Sequence, residues 1–319
     1  MKKILLTLAA LLFAAAGSAH AQDNWPGKPV RLVVPSSPGG GTDVFARLLA
    51  QALTEGTKQQ FIIENKPGAS GNIGAQAAAT AAPDGYTFLV ASNSSTAINP
   101  FLLKSSTFDV QRDLVPVARG VMSVNALVVN SSLGVKNLSE FVALAKKKPE
   151  LLAFGSAGTG SSPYLGVRMM EEVADVKFVH APYKGVAPAY QDLIAGRLQF
   201  MYVDLASSLS YIQSGKLNVL AVDRKTNLLP NAPTFAQAGW KDFDSPISFS
   251  VMAPAAVPPA ILQRMAAEVG KALKAIAPRL EQQALVPVYD TPAEFAVTLK
   301  QERAHWSAFI QRNGITADQ

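Results

Sequence analysis

Two stretches of this 319-residue chain place small, hydroxyl-bearing and conformationally free residues where a strand hands over to a helix. The first is Ser36, Ser37, Pro38, Gly39, Gly40, Gly41 and Thr42, followed by Asp43. The second is Gly155, Ser156, Ala157, Gly158, Thr159, Gly160 and Ser161. Glycine lets a backbone approach a ligand closely and take positive φ. The helix that follows offers unpaired N–H groups and the positive end of its dipole. Such a turn binds an anion without arginine or metal, and the hydroxyls of Ser37, Thr42, Ser156, Thr159 and Ser161 add donors and acceptors. Taken alone, each loop is equally what a tight β–α turn looks like. Ser92 opens a third loop of the same placement, running to Thr96 without glycine. Asp43 falls in a first helical turn, where a carboxylate suits the dipole as well as it suits a ligand.

Other chemistry finds little to stand on. No lysine follows the glycines as a phosphate loop requires, and Gly39–Asp43 does not spell the dinucleotide pattern. The nucleophile-elbow pattern G-x-S-x-G is absent from the sequence. Cysteine is absent too, which excludes disulfides, thiolate metal sites and a cysteine nucleophile. With histidine only at 20, 180 and 305, a histidine-rich metal cluster is excluded. We assign no catalytic residue, metal ligand or cofactor. His180 ends a strand with Tyr183 and Lys184 close behind; a base can be drawn there, but local packing is the favoured reading. Asp204 follows an apolar strand, so it either meets a ligand amine or hydroxyl or caps the next helix.

These loops need elements to hold them. Val30–Val34, Phe61–Glu64 and Tyr86–Ala91 read as strands, alternating with helices over 42–55 and 72–81. Gly56 is the expected stop of the first helix. Strand, polar loop, helix recurring three times in succession is an α/β signature with mainly parallel sheets. A second set follows: strands near 126–130, 151–154, 177–180, 199–203 and 217–222, with helices near 139–147, 162–173, 187–195 and 207–214. Ser162 and Pro163 are read as the N-cap and first position of one of these. The last third is mainly helical, with Thr291 to Glu294 forming a capping box. No linker separates the two sets, so we expect two lobes joined by crossing segments near 120–124 and 244–250. Lobe 1 is placed at residues 22–122 plus 246–319, and lobe 2 at 123–245.

Residues 1–21 stand apart. Lys2 and Lys3 precede an uncharged apolar run, and Ala19-His20-Ala21 has the small-x-small pattern of a signal-peptidase site. The run is too short to span a bilayer, so we expect cleavage after Ala21 and export to the periplasm. Without Lys2 and Lys3 the chain carries 27 basic and 23 acidic residues, net +4, against +6 for the whole sequence. The basic residues are scattered; the run Lys146–Lys148 suits a helix C-terminus. No nucleic-acid partner is expected.

The chain resembles the substrate-binding proteins of tripartite tricarboxylate transporters, the Bug family. The resemblance rests on Trp25–Pro35, Pro38–Asp43, Glu64–Gly74, Ala82–Tyr86, Phe154–Gly158, Pro182–Gly185, Ala195-Gly196 and Ala253-Pro254, in the expected order. It implies a two-lobed, hinged periplasmic binding fold (type II-like, a Venus flytrap) closing on a small organic carboxylate. That ligand would be a di- or tricarboxylate, an amino acid or an aromatic acid, handed as cargo from a monomeric receptor to a membrane permease. The family's carboxylate-holding roles map onto the loops at Ser36–Thr42 and Gly155–Ser161. The chain departs from the family pattern at Ser36 and Ser248, where aromatics are common, and at Val203, where aspartate is frequent and Asp204 comes one place later. The alternatives are a periplasmic enzyme using His180, Tyr183 or Asp204, and a receptor that presents its ligand to a membrane sensor.

Overall fold

The computed structural model describes residues 25–103, 108–148 and 151–317; the expected signal peptide lies outside them. Strands β1 (Val30–Val34), β2 (Phe61–Asn65), β3 (Thr87–Ser92), β4 (Leu114–Ser123), β10 (Ser248–Pro254) and β11 (Leu285–Asp290) form one sheet, ordered β11-β4-β10-β3-β1-β2. Strands β5 (Asn125–Asn130), β6 (Ala153–Ser156), β7 (Val179–Pro182), β8 (Phe200–Asp204) and β9 (Leu217–Val222) form the other, ordered β7-β6-β8-β5-β9. The helices that matter here are α1 (Gly41–Thr57), α2 (Asn72–Ala79), α3 (Leu138–Lys147), α4 (Ser162–Ala174), α5 (Val186–Ile194), α6 (Leu205–Gln213), α7 (Pro259–Glu281) and α8 (Pro292–Arg312).

The local reasons are legible. β1 is a β-branched run whose Val30, Leu32, Val33 and Val34 are fully buried. α1 buries Phe45, Ala46, Leu49, Ala52 and Leu53 along one stripe at helical spacing. α8 opens on the reciprocal Thr291–Glu294 capping box and buries Phe295, Leu299, Trp306, Phe309 and Ile310. Two boundaries differ from the sequence reading. α1 does not stop at Gly56 but runs to Thr57, and Lys58 takes the left-handed cap position at φ 62°. The N-cap of α4 is Ser161, whose hydroxyl accepts from the Tyr164 N–H, so Ser162 is already helical.

The sheets are mixed rather than mainly parallel. β1–β2, β1–β3, β6–β7 and β6–β8 pair parallel. β10–β3, β10–β4, β11–β4, β5–β8 and β5–β9 pair antiparallel. The antiparallel share comes largely from β4 and β10, which leave and re-enter the first sheet side by side. β4 ends at Ser123 and β5 begins at Asn125 in the other sheet; the return lies between β9 and β10. Val124, between them, donates its N–H to the Ala284 carbonyl and accepts from the Leu205 N–H, at 2.9 and 2.7 Å. Among the described residues, no helix is long and apolar enough to cross a membrane.

Candidate functional site

The ends of β1 and β3 from one sheet and of β6 and β8 from the other meet around a cleft with a cavity of about 60 Å³. Carboxyl ends of parallel strands are where open α/β sheets hold ligands. Eight of the residues singled out in the sequence line it: Ser36, Gly40, Gly41, Thr42, Ser92, Ala157, Ser161 and Asp204.

Four helices begin at this cleft, and their starts are not equivalent. α4 is already satisfied: Ser161 Oγ accepts from Tyr164, Ser94 Oγ accepts from the Ser162 N–H at 2.9 Å, and Pro163 has no N–H to offer. α6 is capped by Asp204, whose carboxylate accepts from the Ser207 N–H at 2.9 Å. α1 and α5 are different. Each has glycine at the N-cap, Gly40 and Gly185, and neither has a side-chain cap. Gly40, Gly41 and Thr42 of one start and Gly185 and Val186 of the other line the cavity, and a helix start carries unpaired N–H groups and the positive dipole end. The two starts touch: a Cβ on Gly40 would lie 3.6 Å from Val186 Cγ2, and one on Gly185 would lie 2.5 Å from Ser37 Oγ. The starts without a side-chain cap are therefore those of α1 and α5, whereas α4, which the second glycine-rich loop leads into, is capped within the protein.

The remaining sequence-predicted residues sit behind this surface. Gly39 is exposed and donates its N–H to Asp43. Asp43 points away from the cleft, binding Arg47 at 2.8 Å and Asn65 at 2.8 Å. Burial works against its charge, but hydrogen bonds from Arg47, Gly39 and Asn65 outweigh that and hold the carboxyl below its ordinary range. Asn65 also donates to the Ser36 carbonyl at 3.1 Å, so Asp43 fixes the first loop from behind. Ser37 does not line the cavity but packs on Gly185. Gly158 and Gly160 permit close approach to the other sheet: Gly160 donates to Ser70 Oγ at 3.0 Å, and a Cβ on Gly158 would lie 2.7 Å from that oxygen. Thr159 is half-buried beside them, outside the cavity lining.

Of the three candidate catalytic groups, His180 and Tyr183 lie off the cleft and are half-buried. Ser156 is fully buried and bonds His180 Nε2 at 2.7 Å, while His180 stacks on Phe154. The Tyr183 hydroxyl donates to Asp192 at 2.6 Å; burial and then that carboxylate push it up to about 12. Neither His180 nor Tyr183 lines the cleft. Asp204 does, and burial raises its carboxyl above the ordinary range. It lies so close to Gly41 that a Cβ there would overlap its carboxylate, which explains the third glycine of the first loop. Among the described residues, no group of three or more His, Asp or Glu side chains is placed to hold a metal.

Sequence reasoning passed over half of the wall. Ser70, Gly71, Gly68 and Pro67 come from the turn after β2, Gly185 and Val186 from the start of α5, and Ile247 and Phe249 from the returning segment. The glycine-rich run Lys66–Gly74 and the Gly185 that precedes a helix were the available signals.

A cleft between two sheets, faced by an uncapped helix start from each, defines the class: a two-lobed solute receptor of the periplasmic binding fold. The chain belongs to the tripartite tricarboxylate transporter receptor family, TctC, whose pattern matches residues 45–315. BugT of Bordetella pertussis is 33% identical over 318 residues, spanning 97% of each chain. An R. palustris protein solved with adipate superposes with a TM-score of 0.88 at 31% identity, over 92% of this chain and 99% of its own. MatC from Rhodopseudomonas palustris with bound malate gives 0.84 at 26% identity, over 90% and 100%.

Proposed function

We propose that this protein is a periplasmic receptor that captures a small organic carboxylate between its lobes and hands it to a membrane permease. Lobe 1 comprises residues 22–122 and 246–319, lobe 2 residues 123–245, and the strands on either side of Val124 act as the hinge. The carboxylate is held by the main-chain donors at Gly41–Asp43 and at Val186, with Ser36, Thr42 and Ser161 completing the wall. Closure excludes water and so strengthens those bonds. The protein binds and releases its ligand unchanged, as a monomer.

The observation that carries this reading is the contact between the uncapped starts of α1 and α5, one from each sheet, at a shared cavity. The adipate and malate held by the two R. palustris relatives support a carboxylate ligand here. Thermal unfolding and isothermal titration against mono-, di-, tri- and aromatic carboxylates test it. A receptor gains stability from its ligand by mass action and returns it chemically intact. No stabilisation by any carboxylate, or product formation from a bound one, defeats the proposal.

A further inference from the structure

The cleft wall carries an unusual charge inventory for a site built around an anion. Among the described residues that line it, Asp204 is the one ionisable side chain, and no lysine or arginine is present. Asp204 is 6% exposed, and its carboxylate abuts Gly41 at the start of α1. The Asp204 side chain accepts from the Ser207 N–H at 2.9 Å, capping α6, with the Ser207 hydroxyl and its own main-chain N–H as further donors. A carboxylate has two oxygens and about four lone-pair directions, so acceptor capacity remains on the cleft side.

Ser36 supplies the second observation. Its Oγ is shut off from solvent and has no hydrogen-bond partner in the protein. It lies beside Gly40, 3.7 Å from where a Cβ would stand, on the same wall as Val186. Buried hydroxyls are normally paired, and an unpaired one is costly.

We infer that the cleft selects a small monocarboxylate bearing a hydroxyl or ammonium group next to its carboxylate, with Asp204 accepting from that group and Ser36 bonding the same end of the ligand. The inference rests on the carboxylate reading above and narrows it. One negative charge is met by the two helix starts. A second carboxylate would be brought, without a neutralising cation, into the same dry cleft as Asp204, where like charges repel strongly. A donor in that place does the opposite. It satisfies the free side of Asp204 with a charge-assisted bond and gives Ser36 its missing partner. Plain alkanoates leave Ser36 unpaired and offer Asp204 no donor, and a site built to bond a polar group rejects the analogue lacking it.

The test is isothermal titration of the full mature protein with matched four-carbon ligands: butyrate, 2-hydroxybutyrate, 2-aminobutyrate and succinate. The expected result is that the hydroxy or amino acid binds at least about tenfold tighter than butyrate and succinate. Asp204→Asn keeps the α6 cap, because asparagine caps as well as aspartate. In that variant succinate should gain affinity while 2-aminobutyrate loses it. Ser36→Ala should weaken the donor-bearing ligand several-fold more than it weakens succinate. Succinate binding tightest to the wild type, or no change of preference in Asp204→Asn, overturns this inference and leaves the carboxylate receptor standing. Failure of all four ligands, followed by failure of longer and aromatic acids, overturns both.

Discussion

The backbone N–H of Ser162, at the start of α4 beside the second sheet, donates to the hydroxyl of Ser94, which follows β3 of the first, at 2.9 Å. The Ser162 hydroxyl completes the link, bonding Asn93 Oδ1 at 2.7 Å and lying 2.8 Å from Ser94 Oγ. Ser162 is fully buried and Ser94 nearly so. A helix start that looks from its own loop like an anion site is thus capped by a side chain of the other half. The Ser162 and Tyr164 N–H groups there are taken up within the protein.

Ser94→Ala removes that cap and leaves the buried Ser162 N–H without its partner, while the Ser162 hydroxyl keeps Asn93. A loss of about 1–3 kcal/mol is expected, with a larger radius of gyration in ligand-free solution scattering. An unchanged radius and melting temperature would show that the link does not hold the halves together.

Gly41→Ala places a Cβ on the Asp204 carboxylate. The two halves then cannot close to the same separation, so affinity should fall at least about tenfold while the protein still folds. Gly56→Ala is the control within the same helix, because its Cβ meets nothing within 4 Å. It should raise stability by about 0.5–1 kcal/mol through helix propensity and leave affinity alone. Equal effects on binding would remove the steric argument.

Asp43 ties Gly39, Arg47 and Asn65 together behind the first loop. Because its folded pKa lies below the ordinary 3.8, its contribution is present above that value and is lost as pH falls through the lowered one. Asp43→Ala should cost about 1–3 kcal/mol, since Asn65 and Gly39 lose a buried acceptor while the exposed Arg47 is rehydrated. It should also loosen the loop that carries Ser36. Chemical denaturation and ligand titration of the same variant check both consequences.

Glu302 on α8 has the opposite sign. Burial first, with Asp290 adding to it, raises its carboxyl from 4.5 to about 7 against the pull of Arg119 and Ser248. The folded state binds this proton more tightly than the unfolded chain does. Stability is therefore lost as pH rises from about 4.5 towards 7, by roughly 2–3 kcal/mol. Glu302→Gln should flatten that part of the stability–pH curve and be the more stable protein at pH 8. A variant curve parallel to the wild type would contradict the assignment.

What the sequence made legible was what neighbouring residues decide. β1, α1 and the α8 capping box follow from β-branched runs, apolar periodicity and the Thr291–Glu294 pair, all set within a few residues. β4, β10 and β11 were not legible as strands. β4 carries Pro116, β11 carries Pro287, and β10 pairs with β3 and β4, partners more than 100 residues away in sequence. Only tertiary pairing makes such segments strands.

The candidate site divides in the same way. Ser36, Gly40, Gly41 and Thr42 were found because glycine and hydroxyl residues before a helix have one physical use in common. The single Gly185 before α5 was passed over, because the long run Gly155–Ser161 is more conspicuous. The capping of α4 by Ser94 depends on a contact across the halves that no local pattern encodes.

The most direct test of the central claim is a crystal structure with the tightest-binding carboxylate from the titration series. Its carboxylate oxygens should lie about 3 Å from main-chain N–H groups at Gly41–Asp43 and at Val186, on α1 and α5 together. A carboxylate seated instead on Ser161 and Ser162 of α4, or held away from both glycine-capped helix starts, would contradict the account.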